Sequence, residues 1–226
     1  MAERHSSPNP GSSPTPAAAT AAPEIDCGPT LIDRLRKRIA SGDLPSSHSD
    51  GLGTASPELI PAAVLVPLVL RESGITVLLT QRTAHLNDHA GQVSFPGGRR
   101  DDTDDSLVFT ALREAEEEVG LDAAIVDVLG SLPEYYTGTG FRVTPVVAKV
   151  TPPLNLKLDD FEVAEAFEVP LAYLMNRANW RQDTLERGGQ LRRFWATDWN
   201  GFYIWGATAG MLVAFQRILA GGPGGG

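Results

Sequence analysis

Residues 91–121 constrain this chain more than any other stretch. They run as a short strand, two adjacent glycines at Gly97 and Gly98, an acidic turn at 101–105, and a helix stopped by Gly120. Neighbouring glycines permit positive φ and close backbone approach, so a main-chain carbonyl can face a ligand or metal where a Cβ would obstruct it. On the helix, Glu114, Glu117 and Glu118 stand at i, i+3 and i+4 and share one face, with Glu116 turned elsewhere. Like charges at that spacing cost a helix roughly 0.2–0.5 kcal/mol per pair. Val108, Ala111, Leu112, Ala115 and Val119 form the apolar stripe that pins the other side to a core, and Gly120 fits the C′ position. Alone, the charge run reads as a solvated face. Behind a glycine pair, it reads as a site for a hard cation, since Mg²⁺ takes oxygen ligands and keeps waters and substrate phosphates in its remaining positions.

The run Arg113-Glu114-Ala115-Glu116-Glu117-Glu118-Val119-Gly120-Leu121 after Gly98 resembles the Nudix box, Gly-x5-Glu-x7-Arg-Glu-apolar-x-Glu-Glu-x-Gly-apolar. Asp104 stands where the box has Glu, and eight residues rather than seven separate it from Arg113. That extension resembles the coenzyme A pyrophosphatase branch of the family. So do Leu78-Leu79-Thr80-Gln81-Arg82-Thr83, the following Gly91 and Phe95-Pro96-Gly97-Gly98, and the late Ile204-Trp205-Gly206-Ala207-Thr208-Ala209. Thr83 replaces the branch's Ser/Ala, and Asn87 replaces its second Arg; Arg99 and Arg100 are nearby substitutes.

The resemblance implies an α/β fold, a Nudix-like α/β/α sandwich with a mixed β-sheet, and a metal-dependent pyrophosphatase. Coenzyme A or an acyl derivative would be split into adenosine 3′,5′-bisphosphate and a phosphopantetheine. The Gly97 carbonyl, Glu114, Glu117 and Glu118 would hold Mg²⁺ or Mn²⁺. A further carboxylate would come from the segment before Val169-Pro170-Leu171, with Glu162 the first choice and Glu165 the second, unless these acids only cap and solvate a short helix. Glu114 is the candidate base, Glu117 shares the catalytic face, and Arg113 ties down the neighbouring carboxylates. Arg82, Thr83, Phe95 and Gly98 would face the substrate; a planar guanidinium at Arg82 suits phosphate recognition. Other diphosphate substrates remain open: ADP-ribose, a dinucleotide or a damaged nucleotide. A ligand-sensing Nudix module typically loses box carboxylates, whereas Glu114, Glu117 and Glu118 are all present here.

With 226 residues and 42% apolar side chains, one sizeable core is expected. The formal charge of −9 argues against a nucleic-acid or anionic-membrane surface. It is compatible with a small-molecule nucleotide read through metal, because bound cations invert the local sign. The lone Cys27 excludes an internal disulfide and fits a reducing compartment. No apolar run is long enough to span a bilayer, and the N-terminus lacks signal-peptide features, so the expected location is cytoplasmic. A Ser/Ala-rich transit peptide is the alternative, with Arg4 as its only clear basic residue. A homodimer is allowed but not required.

Along the chain, residues 1–25 read as a disordered Pro/Ser/Ala-rich tail, 28–220 as the catalytic domain and 221–226 as a flexible Gly-rich tail. An amphipathic helix is expected over 31–39, then a loop to 57. Strands are expected at 62–70, 75–80, 124–129 and 141–150. His85 and His89 lie four apart with no third soft ligand, which disfavours zinc. The loop at 133–140 either stacks a base or acyl chain on its aromatics or is simply closed by them. Residues 191–195 and 202–205 predict a hairpin through Asn200-Gly201, and 207–219 a buried helix.

Overall fold

The hydrophobic runs read as strands carry apolar side chains at successive positions, which is the pattern of a sheet buried on both faces. The computed structural model describes residues 27–28, 30–42, 44, 48–49, 59–84, 91–187 and 190–220. The two tails and the segment holding His85, Asn87 and His89 lie outside the described residues.

The helices are α1 (Thr30–Ser41), α2 (Leu107–Val119), α3 (Leu171–Met175) and α4 (Gly206–Leu219). The strands are β1 (His48–Ser49), β2 (Ile60–Arg71), β3 (Gly74–Arg82), β4 (Val93–Ser94), β5 (Gly97–Arg99), β6 (Val126–Ser131), β7 (Tyr135–Tyr136), β8 (Phe141–Val150), β9 (Val163–Pro170), β10 (Arg181–Arg187), β11 (Gln190–Trp199) and β12 (Phe202–Trp205). The main sheet runs β1-β7-β8-β2-β3-β4, with β5 on β2, β6 on β8 and β9 on β3. It is mixed, because β2 pairs parallel with β8 but antiparallel with β3 and β5.

Alternation along the strands sorts the core into two layers. Ala63, Leu65 and Val69 of β2, Leu78 of β3 and Val146, Ala148 and Val150 of β8 pack under α2 through Ala111, Ala115 and Val119. The alternate residues, among them Ala62, Val66, Leu68, Val77, Leu79, Val143 and Val147, pack against Leu31 and Leu35 of α1, Leu171 and Leu174 of α3, and Leu212 and Phe215 of α4. A mixed sheet between helical layers is the expected α/β sandwich.

The two-residue turn at Glu72-Ser73 places Arg71 opposite Gly74 and fixes the register of β2 and β3. The expected late hairpin forms between β11 and β12, with Asn200 at φ 47° and Gly201 at φ 90°. Three details differ from the sequence reading. The strand expected at 124 begins at Val126, because the Asp122 side chain accepts from the Ala124 N–H and closes a 3₁₀ turn at Ala123–Ile125. The acidic segment before Val169 is the strand β9 rather than a helix, with only α3 helical after it. The strand β10 is unanticipated; Arg-Gln-Asp-Thr-Leu-Glu-Arg has no apolar alternation, and it forms by pairing with β11 from Arg181 opposite Ala196 to Arg187 opposite Gln190. In the loop after β6, Tyr135 is buried in the core and the Tyr136 hydroxyl donates to Glu134, which favours the closing role for its aromatics.

Leu78 is 1% exposed beneath α2. Leu78→Ala should therefore lower stability by about 2–5 kcal/mol in denaturant titrations, through lost burial and the residual cavity.

Candidate functional site: an acidic helix face over a glycine strand

The ends of α2 are fixed by local chemistry. The Ser106 hydroxyl accepts from the Phe109 N–H at 3.1 Å. Gly120 sits at φ 66°, where its N–H reaches the Glu116 carbonyl at 2.8 Å and the next N–H, of Leu121, reaches Ala115 at 3.2 Å. The helix is thereby held over β5, whose two glycines face different neighbours, Gly97 the β2 backbone and Gly98 the helix. A Cβ on Gly97 would stand 2.4 Å from the Ala63 carbonyl oxygen, and one on Gly98 would stand 2.5 Å from the Glu114 carboxyl carbon.

The three box carboxylates occupy unequal environments. Glu118 is 5% exposed; its Oε2 accepts from the Gly97 N–H at 3.1 Å and its Oε1 lies 3.6 Å from Arg82 Nη1. Burial pushes its carboxyl up to about 8, opposed by the Gly97 N–H and Arg82 and reinforced by the charges of Glu114 and Glu162. Glu114 is also raised, by burial first, while Arg113 Nη1 at 3.0 Å from its Oε1 works the other way. Glu117 is more exposed and takes Arg113 Nη1 at 2.9 Å.

Arg113 is anchored from behind. Its Nε and Nη2 bind the two oxygens of Asp104 at 2.9 and 3.0 Å, and Nη2 also donates to the Arg99 carbonyl at 3.2 Å. Asp104 is buried and additionally accepts from the Asp101 N–H and the Thr110 hydroxyl. The Arg113 guanidinium, ahead of these two donors, holds its carboxyl well below the usual carboxylate range. Sequence reasoning marked Asp104 only as a departure from the box. Its position nine residues before Arg113, with Thr110 one helical turn before Glu114, was the available signal.

A fourth carboxylate comes from across the sheet. Alternation along β3 puts Leu78, Thr80 and Arg82 on the α2 side, and Arg82 Nη2 reaches Glu162 Oε2 at 3.4 Å. The turn carrying Glu162 is tied to Thr83, whose N–H donates to the Glu162 carbonyl at 3.0 Å and whose hydroxyl donates to the Phe161 carbonyl at 2.8 Å. Of the two acids considered, Glu162 joins the cluster. Glu165 is exposed and pairs with Gln81, whose side chain alternates to the other face of the sheet.

Not every expected residue is placed toward a ligand. Phe95 is 2% exposed and packs in the core on the α1/α4 side. The Thr83 hydroxyl is committed to the Phe161 carbonyl. Neither substitute for Asn87 is free: Arg99 lies over the Phe141 ring at 5.2 Å, and the Arg100 fork donates to the Asp104 carbonyl. Among the described residues, no three His, Cys, Asp or Glu side chains already close on one point as a cation cage. The donor set nonetheless suits a hard cation: oxygen-only, partly desolvated and held close by Gly97 and Gly98.

Asp104 titrates lower in the folded than in the unfolded chain, so its pair with Arg113 adds stability above the ordinary carboxylate range and loses it as pH falls below that range. Asp104→Asn should lower the denaturation midpoint at neutral pH, and the gap to the parent protein should shrink as pH drops below about 4. A gap independent of pH would remove the charge pair from this account.

The NUDIX domain family matches residues 59–187, which include β5, α2 and Glu162. The "Uncharacterized Nudix hydrolase NudL" of Escherichia coli O6:H1 is 45% identical over 152 residues, spanning 67% of this chain and 78% of that protein. The protein of the same name in Shigella boydii serotype 18 gives the same identity and coverage. Among solved structures, the Nudix hydrolase RenU of M. smegmatis aligns with a TM-score of 0.44 and 27% identity over 54% of this chain and 76% of its own. A C. elegans Ap4A hydrolase aligns at 0.43 and 22%, over 49% and 80%. Nudix enzymes act on pyrophosphate-containing small molecules and generally use divalent ions such as Mg²⁺ or Mn²⁺. The acidic helix over paired glycines thus lies inside a matched domain, and the chain belongs to the Nudix hydrolase family.

Proposed function

We propose that this chain hydrolyses a nucleoside diphosphate-linked substrate, and that the substrate is coenzyme A or an acyl-CoA, cut to adenosine 3′,5′-bisphosphate and (acyl-)phosphopantetheine. The reading rests chiefly on Glu118, a buried carboxylate beside Glu114 and Glu162 whose charge is offset, among the described residues, by the Gly97 N–H and by Arg82 at 3.6 Å. Such a group is costly to ionise unless a cation shares the space. The coenzyme A assignment rests on the stretch from Leu78 to Gly98 and on residues 204–209, which resemble that branch.

Glu114, Glu117, Glu118, Glu162 and the Gly97 carbonyl would hold Mg²⁺ or Mn²⁺. When bound, the cation neutralises diphosphate oxygens and lowers the pKa of a water. Glu114, half-buried and raised above its ordinary value, is the proton acceptor for the attacking water. Arg113 holds Glu114 and Glu117 in place, and Gly98 leaves the Glu114 carboxylate uncovered. Arg82 offers the diphosphate a planar pair of donors. The reading places the protein in the cytoplasm, acting on small nucleotides rather than nucleic acid or membranes. No helix among the described residues is long and apolar enough to cross a membrane. A homodimer would be visible by light scattering.

Product analysis after incubation with coenzyme A and Mg²⁺ or Mn²⁺, beside ADP-ribose, a dinucleotide and an oxidised nucleotide, tests the substrate. Coenzyme A at background while another compound turns over would overturn the coenzyme A assignment. Replacing Glu117 and Glu118 together by Gln should reduce turnover at least about 100-fold with the fold intact, a loss of several kcal/mol of transition-state stabilisation.

A second expectation concerns pH. Glu118 moves from 4.5 to about 8 on folding, so the folded chain holds a proton that the unfolded chain releases between those values. In chelator, stability should fall as pH rises from about 4.5 to about 8 and then level off. Glu118→Gln should flatten that slope in denaturant titrations across the same range; an undiminished slope would assign it to another group.

A further inference from the structure

The two arginines of the site are bound in very different ways. Arg113 makes four contacts to carboxylates at 2.9–3.0 Å: two to Asp104, one to Glu114 and one to Glu117. These are the distances of charge-assisted hydrogen bonds. Arg82 is instead divided between carboxylates from two separate elements, with Nη1 3.6 Å from Glu118 and Nη2 3.4 Å from Glu162. Its backbone is fixed, since its N–H donates to the Gln92 carbonyl at 2.9 Å and its residue pairs with Val163. Only the side chain is free to change partners. We propose that Arg82 is an internal counter-ion which occupies the acidic cluster in the metal-free protein, is displaced by the divalent cation, and is thereby released to bind the diphosphate of the substrate.

This deepens the metal-dependent reading above and rests on it. A guanidinium and a divalent cation compete for the same oxygens of Glu118 and Glu162, and the cation carries twice the charge in a smaller volume. The guanidinium that loses this competition is a planar fork suited to two phosphate oxygens. Cation binding and diphosphate binding are then coupled through one side chain, and the coupling must act equally in both directions. An arginine serving only as a phosphate contact would leave metal affinity unchanged when removed. A competitor would raise it.

The test is Mn²⁺ binding to the full chain by calorimetry without nucleotide, comparing the parent with Arg82→Gln and Arg82→Lys. Removing the competing charge should tighten Mn²⁺ binding at least about 5-fold, the lower end of the usual span of such a coupling. Arg82→Lys, which keeps the charge, should stay close to the parent and also controls for folding. In parallel, phenylglyoxal labelling mapped by mass spectrometry should modify Arg82 faster when Mn²⁺ is present. Unchanged or weaker Mn²⁺ binding in Arg82→Gln, or labelling that Mn²⁺ leaves unaltered, would overturn the proposal while leaving the metal site standing. A parent protein that binds no Mn²⁺ would overturn the metal site and the proposal together.

Discussion

Everything at the site depends on how closely α2 approaches β5. Two glycines set this arrangement: Gly98 leaves the space its Cβ would need to the Glu114 carboxylate of α2, and Gly97 lets β5 lie against the Ala63 backbone of β2. Because no side chain stands between helix and strand, the Gly97 N–H reaches Glu118 directly. The same closeness strips water from Glu118 and raises the cost of its charge. The packing that shapes the site therefore also creates the electrostatic demand that a cation would meet. A larger residue at Gly98 would displace the Glu114 carboxylate, and one at Gly97 would part β5 from the β2 backbone.

The counter-charges are distributed unevenly, and the unevenness has a structural origin. Asp104 lies in the loop before α2, where Asp101, Thr110 and Arg113 complete its bonds, so Arg113 is restrained from behind before it touches Glu114 or Glu117. Arg82 has no such restraint. It projects from the end of β3, and among the described residues its ion-pair partners are Glu118 and Glu162. One arginine fixes the helix face; the other merely balances charge across the gap between helix and sheet.

Much of this was legible before the structure because it is local. The i, i+3, i+4 spacing placed three carboxylates together, Gly120 marked the helix end, and the continuous apolar run at 62–70 announced a strand. What was not legible depends on pairing between distant segments. Nothing in Arg181–Arg187 suggests a strand until β11 lies beside it. Phe95 sits in a motif next to the glycines, yet it points into the opposite layer, and motif membership does not reveal a side chain's direction. The role of Asp104 was hidden for the same reason, since its significance is the buried bond to Arg113 rather than its place in a spacing rule.

The choice between Glu162 and Glu165 follows from strand parity and one anchored turn. Strict alternation would carry one fixed parity along β9, but the register slips between Gln81 and Arg82, so that Gln81 faces Glu165 while Arg82 faces Val163. Bulges of this kind re-aim side chains beside active sites. Here the slip brings Val163 and Ala166, three apart in sequence, onto the same α2-facing layer and starts the preceding turn on that side. Thr83 then fastens the turn at the Phe161 and Glu162 carbonyls. Glu162 in that anchored turn meets Arg82, whereas Glu165, paired with Gln81, is turned away. The acid that joins the helix's cluster therefore comes from the turn beyond the ladder, where Arg82 and Thr83 both hold it.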